Sequence, residues 1–478
     1  MTFGSRATAW IVTAIMAATV CYSVFRIPLQ VTDSLIPMLD AQRMGSVTEA
    51  FVAGSTNAGY FRPLRAAQIQ ALFELSNGHY FAAYKTFQAA GVVVVFVLFV
   101  LLLKVDTPPR LAAWLFSLTV LMGLHTFRGT VWEAYPVNHS LEVVAFCLLA
   151  LVLALSRGGA WIDILAALTF VAATFTVESG VLVWVVIATA WLVGAPGISR
   201  RGVLIVTGLC VAYFALRFAI LHTGVPALSE RGSGFGVRQL SPDELQRRFG
   251  SAPYIFYAYN VLSSLLTVFF SEPRAGIWTI PAEFLGGRIA AGTIINVVSS
   301  TITTALIAGY VFARRRSWMP AFAHALRRGR LRLDRDEQIA IVSLAVIGAN
   351  AVISYSYTKD EIMGPAGVFY ALAAFVAAAW MVRGVDLPAP RLRIVTLAVF
   401  IAASGWVVRT AGLHYQMHVI SFYDRNEWVY VDDWLAGQKS TPATPEGKAM
   451  VERLRTDAIE RMTIDPYLLS ARLDQWFR

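Results

Sequence analysis

Cysteine is scarce in this chain, with only three among 478 residues, at Cys21, Cys147 and Cys210. All three lie within apolar segments, and their spacing matches no metal-binding motif. They are therefore expected to be buried as small hydrophobic side chains, and they carry no information about the redox compartment. No pattern in the sequence indicates a metal site or another cofactor.

Charged residues are also few, at 15% of the chain, whereas 57% of the residues are hydrophobic. A soluble domain of this length carries more charge than this. The sequence therefore predicts an all-α polytopic membrane protein. The formal net charge of +10 does not indicate nucleic-acid binding, because the lysines and arginines fall in short segments between apolar runs. That placement is typical of cytoplasmic loops.

Nucleotide-binding motifs are missing as well. The pattern GxxxxGK[ST] does not occur, so transport driven by ATP on this chain alone is not expected. Gly232, Gly234 and Gly236 form a glycine-rich run, but no strand is predicted before it, which argues against a dinucleotide site.

Apolar runs long enough to cross a membrane follow one another along the chain. About eleven are predicted, over residues 7–27, 81–103, 110–127, 138–156, 161–178, 180–195, 203–222, 288–312, 338–356, 364–382 and 393–412. The run 254–270 is apolar too, but a full crossing there would put the basic segment 314–316 outside. It is therefore predicted to be a half-inserted or interfacial helix on the outer face.

Basic residues give the predicted orientation. With a cytoplasmic N-terminus, the loops that contain Arg110, Arg157, Arg200, the cluster 314–335 and Arg383 all lie inside. The prediction is a multi-pass protein of the inner (plasma) membrane, with residues 1–412 as the transmembrane domain. Three segments of the chain are predicted on the outer face. They are the first loop, 28–80, the loop 224–287 with its interfacial helix, and a short polar tail, 413–478.

Ionisable residues gather at the predicted outer ends of the spans. The candidates are Asp33, Arg62, Arg65, His139, Glu142, Glu178, Lys359 and Asp360. A carboxylate among cations at the bilayer surface suits a transferase that uses a lipid-phosphate donor. The carboxylate takes a proton from an acceptor hydroxyl, and the cations hold the leaving phosphate.

Plain structural alternatives exist for most of these residues. Asp33 can be a solvated loop acid. This alternative fits Asp40, seven residues later in the same loop, better than it fits Asp33. The arginines of the first loop can extend to lipid headgroups, and the pair at 359 and 360 can be an ordinary loop ion pair. Glu178 is harder to explain in this way, because an acid at the edge of an apolar hairpin needs a partner.

Three segments together resemble the membrane glycosyltransferases of the GT-C superfamily, in particular the O-mannosyltransferases that carry tetratricopeptide repeats and their bacterial relatives. Tyr60-Phe61-Arg62-Pro63-Leu64 resembles their YxRPL segment. The stretch from Tyr135 to Glu142 is similar to HPxHxE, with one extra residue and a tyrosine in place of the first histidine. Phe175 to Gly180 is similar to the KE[ST] junction, with Val177 in place of the lysine. Lys359-Asp360-Glu361 is loosely similar to a late ERYxYLP junction.

The resemblance implies a fold and an activity. The expected protein is an inverting glycosyltransferase with a polyprenyl-phosphate sugar donor and an outward-facing site. Asp33 would be the catalytic base. Arg62, Arg65, His139 and Lys359 would bind the lipid phosphate, and Glu142 and Glu178 would orient these cations or the sugar, with Asp360 beside them.

The partners follow from the same resemblance, whereas the alternative hypotheses belong to other classes of protein. The tetratricopeptide repeats are absent, so the acceptor can be a glycan, a lipid or a protein, with membrane lipids around the chain. A transporter or flippase for a lipid-linked glycan remains a second hypothesis, although it predicts internal symmetry that the sequence does not show. A non-catalytic membrane assembly protein is a third.

Overall fold

The computed structural model describes residues 2–31, 34–56, 60–133, 135–222, 232–233, 239–240, 242–250, 254–270, 279–287, 289–328, 333–355, 361–383, 389–419, 428, 431–437 and 444–463. These residues are almost entirely helical. The one β pairing among them is antiparallel and joins Gly232–Ser233 to Gln239–Leu240.

The helices follow the apolar runs closely. In the first half they are α1 (Thr2–Arg26), α2 (Leu35–Arg43), α3 (Val47–Thr56), α4 (Pro63–Ser76), α5 (Tyr80–Leu102), α6 (Pro108–Gly123), α7 (His125–Val131), α8 (His139–Ala154), α9 (Ala160–Thr176), α10 (Leu182–Leu192) and α11 (Arg200–Phe214). A 3-10 turn, Glu178–Val181, precedes α10, and a π-helical segment, Ala215–Ile220, extends α11.

The second half continues in the same way. Its helices are α12 (Pro242–Phe249), α13 (Tyr254–Phe270), α14 (Thr279–Leu285), α15 (Ala291–Arg328), α16 (Arg335–Ile353), α17 (Gly364–Val382), α18 (Ala389–Val419), α19 (Val431–Ala436) and α20 (Pro445–Thr463). A 3-10 turn, Glu361–Met363, precedes α17. Helix α18 continues past the predicted domain boundary at residue 412.

Seven of the described helices are long and apolar enough to cross a membrane: α1, α5, α11 with its π-helical extension, α15, α16, α17 and α18. An all-helical chain with several such helices is what the composition predicted. The number of about eleven spans is not confirmed, because α8, α9 and α10 have only 16, 17 and 11 residues. Even α9 measures about 26 Å, less than a hydrocarbon core of about 30 Å.

The short helices have a local cause. Val177 is fully extended and ends α9, and Gly194, with a positive φ of 87°, follows α10. Apolar residues continue through both turns, so hydropathy alone does not show that the helices end there.

The predicted span 110–127 is likewise broken. Helices α6 and α7 meet at 63°, and the extended residue Leu124 lies between them. Helix α18 crosses at this point so closely that a Cβ on Gly123 would lie 2.7 Å from the Trp406 ring. If the pair counts as one bent span, eight helices of the described chain can cross.

Helix α17 lies at the centre of the bundle and is buried from Gly364 to Ala379. It contacts α6, α8, α15 and α16. Asn350 of α16 is fully buried, and its amide donates to the carbonyl of Ile362 (3.0 Å) and accepts from the backbone of Ala366 (3.1 Å). This bidentate contact fixes the turn that leads into α17.

An ionic network closes one end of the bundle, which we call the Asp336 end. Arg110, at the start of α6, donates two hydrogen bonds to Asp336, at 2.8 and 3.0 Å. Arg383, just after α17, lies 3.3 Å from the same carboxylate. The arginines at 110 and 383, which the sequence predicted to share one side of the membrane, therefore do share one end of the bundle.

The same end is held by Arg335. It donates to the carbonyls of Leu102 and Leu155, each at 3.2 Å, where α5 and α8 finish. The last carbonyls of a helix have no partner within it, so an arginine placed there satisfies them and complements the helix dipole. Since α5 begins at Tyr80 and α8 at His139, those residues lie at the opposite end of the bundle.

Helix α13 enters the bundle from this opposite end. Asn260 donates to the carbonyl of Tyr355 (2.9 Å), just beyond α16. Farther along, the carbonyl of Phe269 accepts from Thr304 (2.7 Å), which lies well inside α15. In α14, Glu283 accepts a hydrogen bond from the backbone of Ala290 (3.0 Å), just before α15. The half-inserted placement of α13 stays a prediction.

The Asp336 network gives a test of the fold. We expect Asp336→Asn to destabilise the protein by on the order of 2 kcal/mol, because it removes the charge that two arginines share. The measurement is the apparent melting temperature in detergent. Asp106→Asn is the matched control, since Asp106 lies 3.8 Å from the same Arg110 but is 60% exposed. Equal melting temperatures for the two variants would contradict the assignment.

Candidate functional site

The first loop is built from three short helices, and α4 is the one that carries the candidate site. Pro63 stands at its first turn, where no amide hydrogen bond is lost, and Asn77 ends it in the left-handed conformation (φ 45°). The hydroxyl of Tyr84 on α5 donates to the carbonyl of Ile69 (3.0 Å) and so holds α4 against the bundle.

Arg62 and Glu178 form the central ion pair of the site. The Arg62 Nη2 lies 2.7 Å from Oε2 of Glu178, and its Nε lies 3.2 Å from the same oxygen. Arg62 also lies over the Tyr60 ring, 4.5 Å from its centroid. The pair joins the first loop to the turn between α9 and α10, 116 residues away in the chain.

A second arginine meets the same carboxylate. Arg217, in the π-helical segment, is buried and lies 3.5 Å from Oε1 of Glu178. It also donates to the Tyr213 hydroxyl (3.3 Å). Burial alone would raise the pKa of Glu178, but Arg62 and Arg217 lower it below its usual range. The acid is therefore ionised at neutral pH and shared by two cations.

Arg65 lies one turn into α4 and has a different environment. Its side chain is only 8% exposed, and its guanidinium carbon lies over the Tyr135 ring, 4.0 Å from the centroid. Among the described residues no carboxylate lies within ion-pairing distance of Arg65, and its buried Nε has no hydrogen-bond partner. Burial, and then the nearby charge of Arg62, lower the pKa of Arg65.

His139 begins α8 beside this arginine. Its ring lies 4.7 Å from that of Tyr135, and its Nε2 lies 3.2 Å from Oε1 of Glu133. Glu133 also accepts from the backbone and the hydroxyl of Ser140, at 3.2 and 3.0 Å. An acid at this place satisfies an amide of the first helical turn and fits the positive end of the helix dipole.

Glu142 lies one turn farther along α8. Its Oε1 accepts from Gln68 of α4 (2.7 Å), whereas its buried Oε2 has no partner among the described residues. The contact ties α8 to α4 on the same face as Arg65. We call Arg62, Arg65, Gln68, Glu133, Tyr135, His139, Glu142, Glu178 and Arg217 the Arg65 cluster.

The structure thus brings together five of the residues selected from the sequence. Arg62, Arg65, His139, Glu142 and Glu178 all belong to the Arg65 cluster. Asp33, Lys359 and Asp360 lie outside the described residues. Asp40, the other aspartate of the first loop, lies on α2. Its side chain is 43% exposed, and its carboxylate lies 3.8 Å from Arg43.

Four residues of the cluster were not among the candidates selected from the sequence: Gln68, Glu133, Tyr135 and Arg217. Arg217 lies inside the predicted span 203–222, and an arginine within an apolar run is itself a sign of a buried partner. Gln68 gave no such sign, because a glutamine in a loop helix is common. It becomes recognisable only when α4 and α8 are placed side by side.

The cluster combines three arginines, one histidine and three acids in a partly enclosed place at one end of the bundle. Within the described residues, no group of three histidine, cysteine, aspartate or glutamate side chains could hold a metal ion. The arrangement is suited to binding a small anion, since a buried guanidinium offers several parallel donors to phosphate or carboxylate oxygens. No protein-family model, curated protein or solved structure matches this chain.

The ion pair of Glu178 with Arg62 predicts that the stability of the protein depends on pH. The lowered pKa of Glu178 means that the stabilisation is present above about pH 4.3, the value for an unfolded glutamate, and is lost as the pH falls through the lower folded value. Glu178→Gln should therefore melt below the wild type at neutral pH, and the gap in melting temperature should close as the pH falls through the folded pKa of Glu178.

The measurement is thermal unfolding of both proteins across this range. Glu452→Gln is the control, because Glu452 is 63% exposed and its pairing with Arg455 contributes little. A gap between wild type and Glu178→Gln that stays constant with pH would show that the charge of Glu178 is not what stabilises the site.

Proposed function

We propose that this chain is an inverting glycosyltransferase of the GT-C type. It would move a sugar from a polyprenyl-phosphate donor to a hydroxyl acceptor at the outer face of the plasma membrane. The observation that supports this most is Arg65, a buried cation without an acidic partner in the described chain, in the segment that resembles the YxRPL motif.

The physical argument concerns the cost of a buried charge. An unpaired arginine in a medium of low dielectric is unfavourable, and an anion brought next to it recovers much of that free energy. The lowered pKa of Arg65 has the same origin. A phosphate at the membrane surface would supply the anion, and the contact with the Tyr135 ring holds the guanidinium in place on one side.

The other candidate residues would provide positive potential, contacts with the donor and the catalytic base. Arg62 and Arg217 share Glu178, so their combined charge exceeds that of the acid by one and adds to the positive potential around Arg65. His139 and Glu142 would contact the sugar or the phosphate from the start of α8. Asp33 would take the proton of the acceptor hydroxyl, and Lys359 with Asp360 would approach from the loop before α17.

A transporter of a lipid-linked glycan is the second candidate, and one observation favours it. Arg409 is buried in the apolar helix α18 and donates to the hydroxyls of Ser299 and Ser300, at 3.0 and 2.7 Å. It borders a cavity of about 40 Å³ that His125 and Asn296 also line. Charged and polar groups inside apolar helices are common along transport pathways.

The donor site is tested by binding. We expect Arg65→Gln to weaken the binding of a polyprenyl monophosphate by at least tenfold, because a charge-assisted contact contributes roughly 1.5 to 3 kcal/mol. The measurement is a titration of purified protein in lipid nanodiscs. Arg157→Gln removes the same charge from an exposed loop after α8 and should leave the affinity unchanged.

Two results would contradict the proposed site. If both variants weaken binding equally, the contribution is one of net charge and not of Arg65. If the wild type does not bind polyprenyl monophosphate at all, the proposal fails, and a non-catalytic assembly protein becomes the better explanation.

The chemistry is tested in cells that lack this protein. Complementation with Asp33→Asn should leave the lipid-linked sugar donor accumulated and one envelope polymer without its substituent, because no base remains to activate the acceptor. Mass spectrometry of lipid-linked sugars and envelope glycans measures both. Asp40→Asn, in the same loop, is the control and should restore the substituent. Full restoration by Asp33→Asn at equal protein level would contradict the assignment of the base and favour the transporter.

A further inference from the structure

We infer that the C-terminal segment formed by Trp428, α19 and α20, which we call the tail clamp, positions the first loop, and that Trp428 is a positioning residue for the reaction. The contacts of the clamp are independent of any activity. Its role in the reaction rests on the proposed glycosyltransferase function.

The first contact of the clamp is made at the start of the loop. Trp428 is 2% exposed, and its indole Nε1 donates to the carbonyl of Leu29 (2.8 Å). Leu29 follows α1 and precedes α2, in a stretch where the backbone has no helical partner for its carbonyls. A buried carbonyl needs a donor, so the indole supplies what the local structure does not.

An apolar core of its own surrounds this hydrogen bond. Helix α20 contributes one face at the spacing of helical turns, and α19 contributes Val431 and Leu435. The side chains buried together are Leu29, Val31, Leu35, Met38, Leu39, Phe81, Tyr84, Trp428, Val431, Leu435, Met450, Val451, Leu454 and Ala458. The core of the first loop is therefore completed by the end of the chain.

A second contact is made where the loop ends. Arg453 of α20 donates to the carbonyl of Gly78 (2.8 Å), between α4 and α5. Gly78 has a positive φ of 88°, which suits glycine at this turn. A weaker contact lies between these two, where Gln42 of α2 donates to Thr444 (3.4 Å). The clamp thus touches the loop at its beginning, its middle and its end.

The contacts of the clamp lie next to the two parts of the first loop that carry proposed site residues. Asp33, the proposed base, lies in the sequence between Val31 and Leu35, and both of these belong to the clamp core. Arg65 and Gln68 lie on α4, which ends just before the contact of Arg453. Holding the two borders of the loop fixes the separation between the segment that follows α1 and the Arg65 cluster.

Hydrogen exchange tests the clamp directly. The full chain in nanodiscs is compared with Trp428→Phe, which keeps an aromatic ring but removes the indole donor. We expect amide exchange in peptides covering residues 27–43 to become at least fivefold faster. Trp434→Phe is the matched control, since the indole of this half-buried tryptophan, which packs against the same core, makes no hydrogen bond among the described residues. It should leave the exchange of these peptides unchanged.

A second readout separates positioning from general loss of structure. Trp428→Phe should bind polyprenyl monophosphate within twofold of the wild type, because the Arg65 cluster is intact. The substituted envelope glycan should nevertheless fall at least fivefold in complemented cells at equal protein level. If Trp428→Phe does not accumulate as folded protein, Arg453→Gln, an exposed substitution at the other border, replaces it with the same expectations in peptides covering residues 69–81.

The outcomes are distinct from those of the proposed function. Unchanged exchange in the first loop overturns the clamp, whatever the protein does. Faster exchange with undiminished glycan overturns the positioning role of Trp428. If the wild type changes no glycan at all, the glycosyltransferase proposal fails, and the exchange result alone then supports or overturns the clamp as a structural element.

Discussion

The pairing of Glu178 with Arg62 is the contact on which the site depends. Glu178 lies in a turn between two apolar helices, where an unpaired carboxylate would be costly. It can be ionised there only because the first loop delivers Arg62 to it and the end of α11 delivers Arg217. Three separate parts of the chain are therefore held together by one acid, and α4 must begin where Arg62 is held.

The two ends of the bundle differ in how their charges are balanced. At the Asp336 end, arginines are matched by a carboxylate or by helix carbonyls. At the opposite end, Glu178 is shared by two arginines, and Arg65 lies over the Tyr135 ring with no carboxylate of the described residues in ion-pairing distance. A purely structural role explains the first arrangement fully. It does not explain the buried guanidinium of Arg65, for which the described residues supply no carboxylate, whereas the anion binding proposed above would.

The sequence could predict which residues come together in the Arg65 cluster better than it could predict the spans. Charged residues are rare in an apolar chain, so those near helix ends, such as Arg62 and Glu178, stand out by their residue type alone. Turns such as Val177 and the bend at Leu124 do not stand out, because they are made of apolar residues. Their position is decided by contacts with distant helices, as the approach of Trp406 to Gly123 illustrates.

The contact between Trp428 and Leu29 joins residues 399 positions apart, and this separation has a consequence for biosynthesis. The first loop leaves the ribosome early, but the side chains that cover it are made almost last. At 5–20 residues per second the delay is roughly 20 to 80 s. During that time Leu35, Met38 and their neighbours have no permanent cover. Prematurely terminated chains would keep this apolar surface exposed, which marks them for capture by chaperones and for degradation.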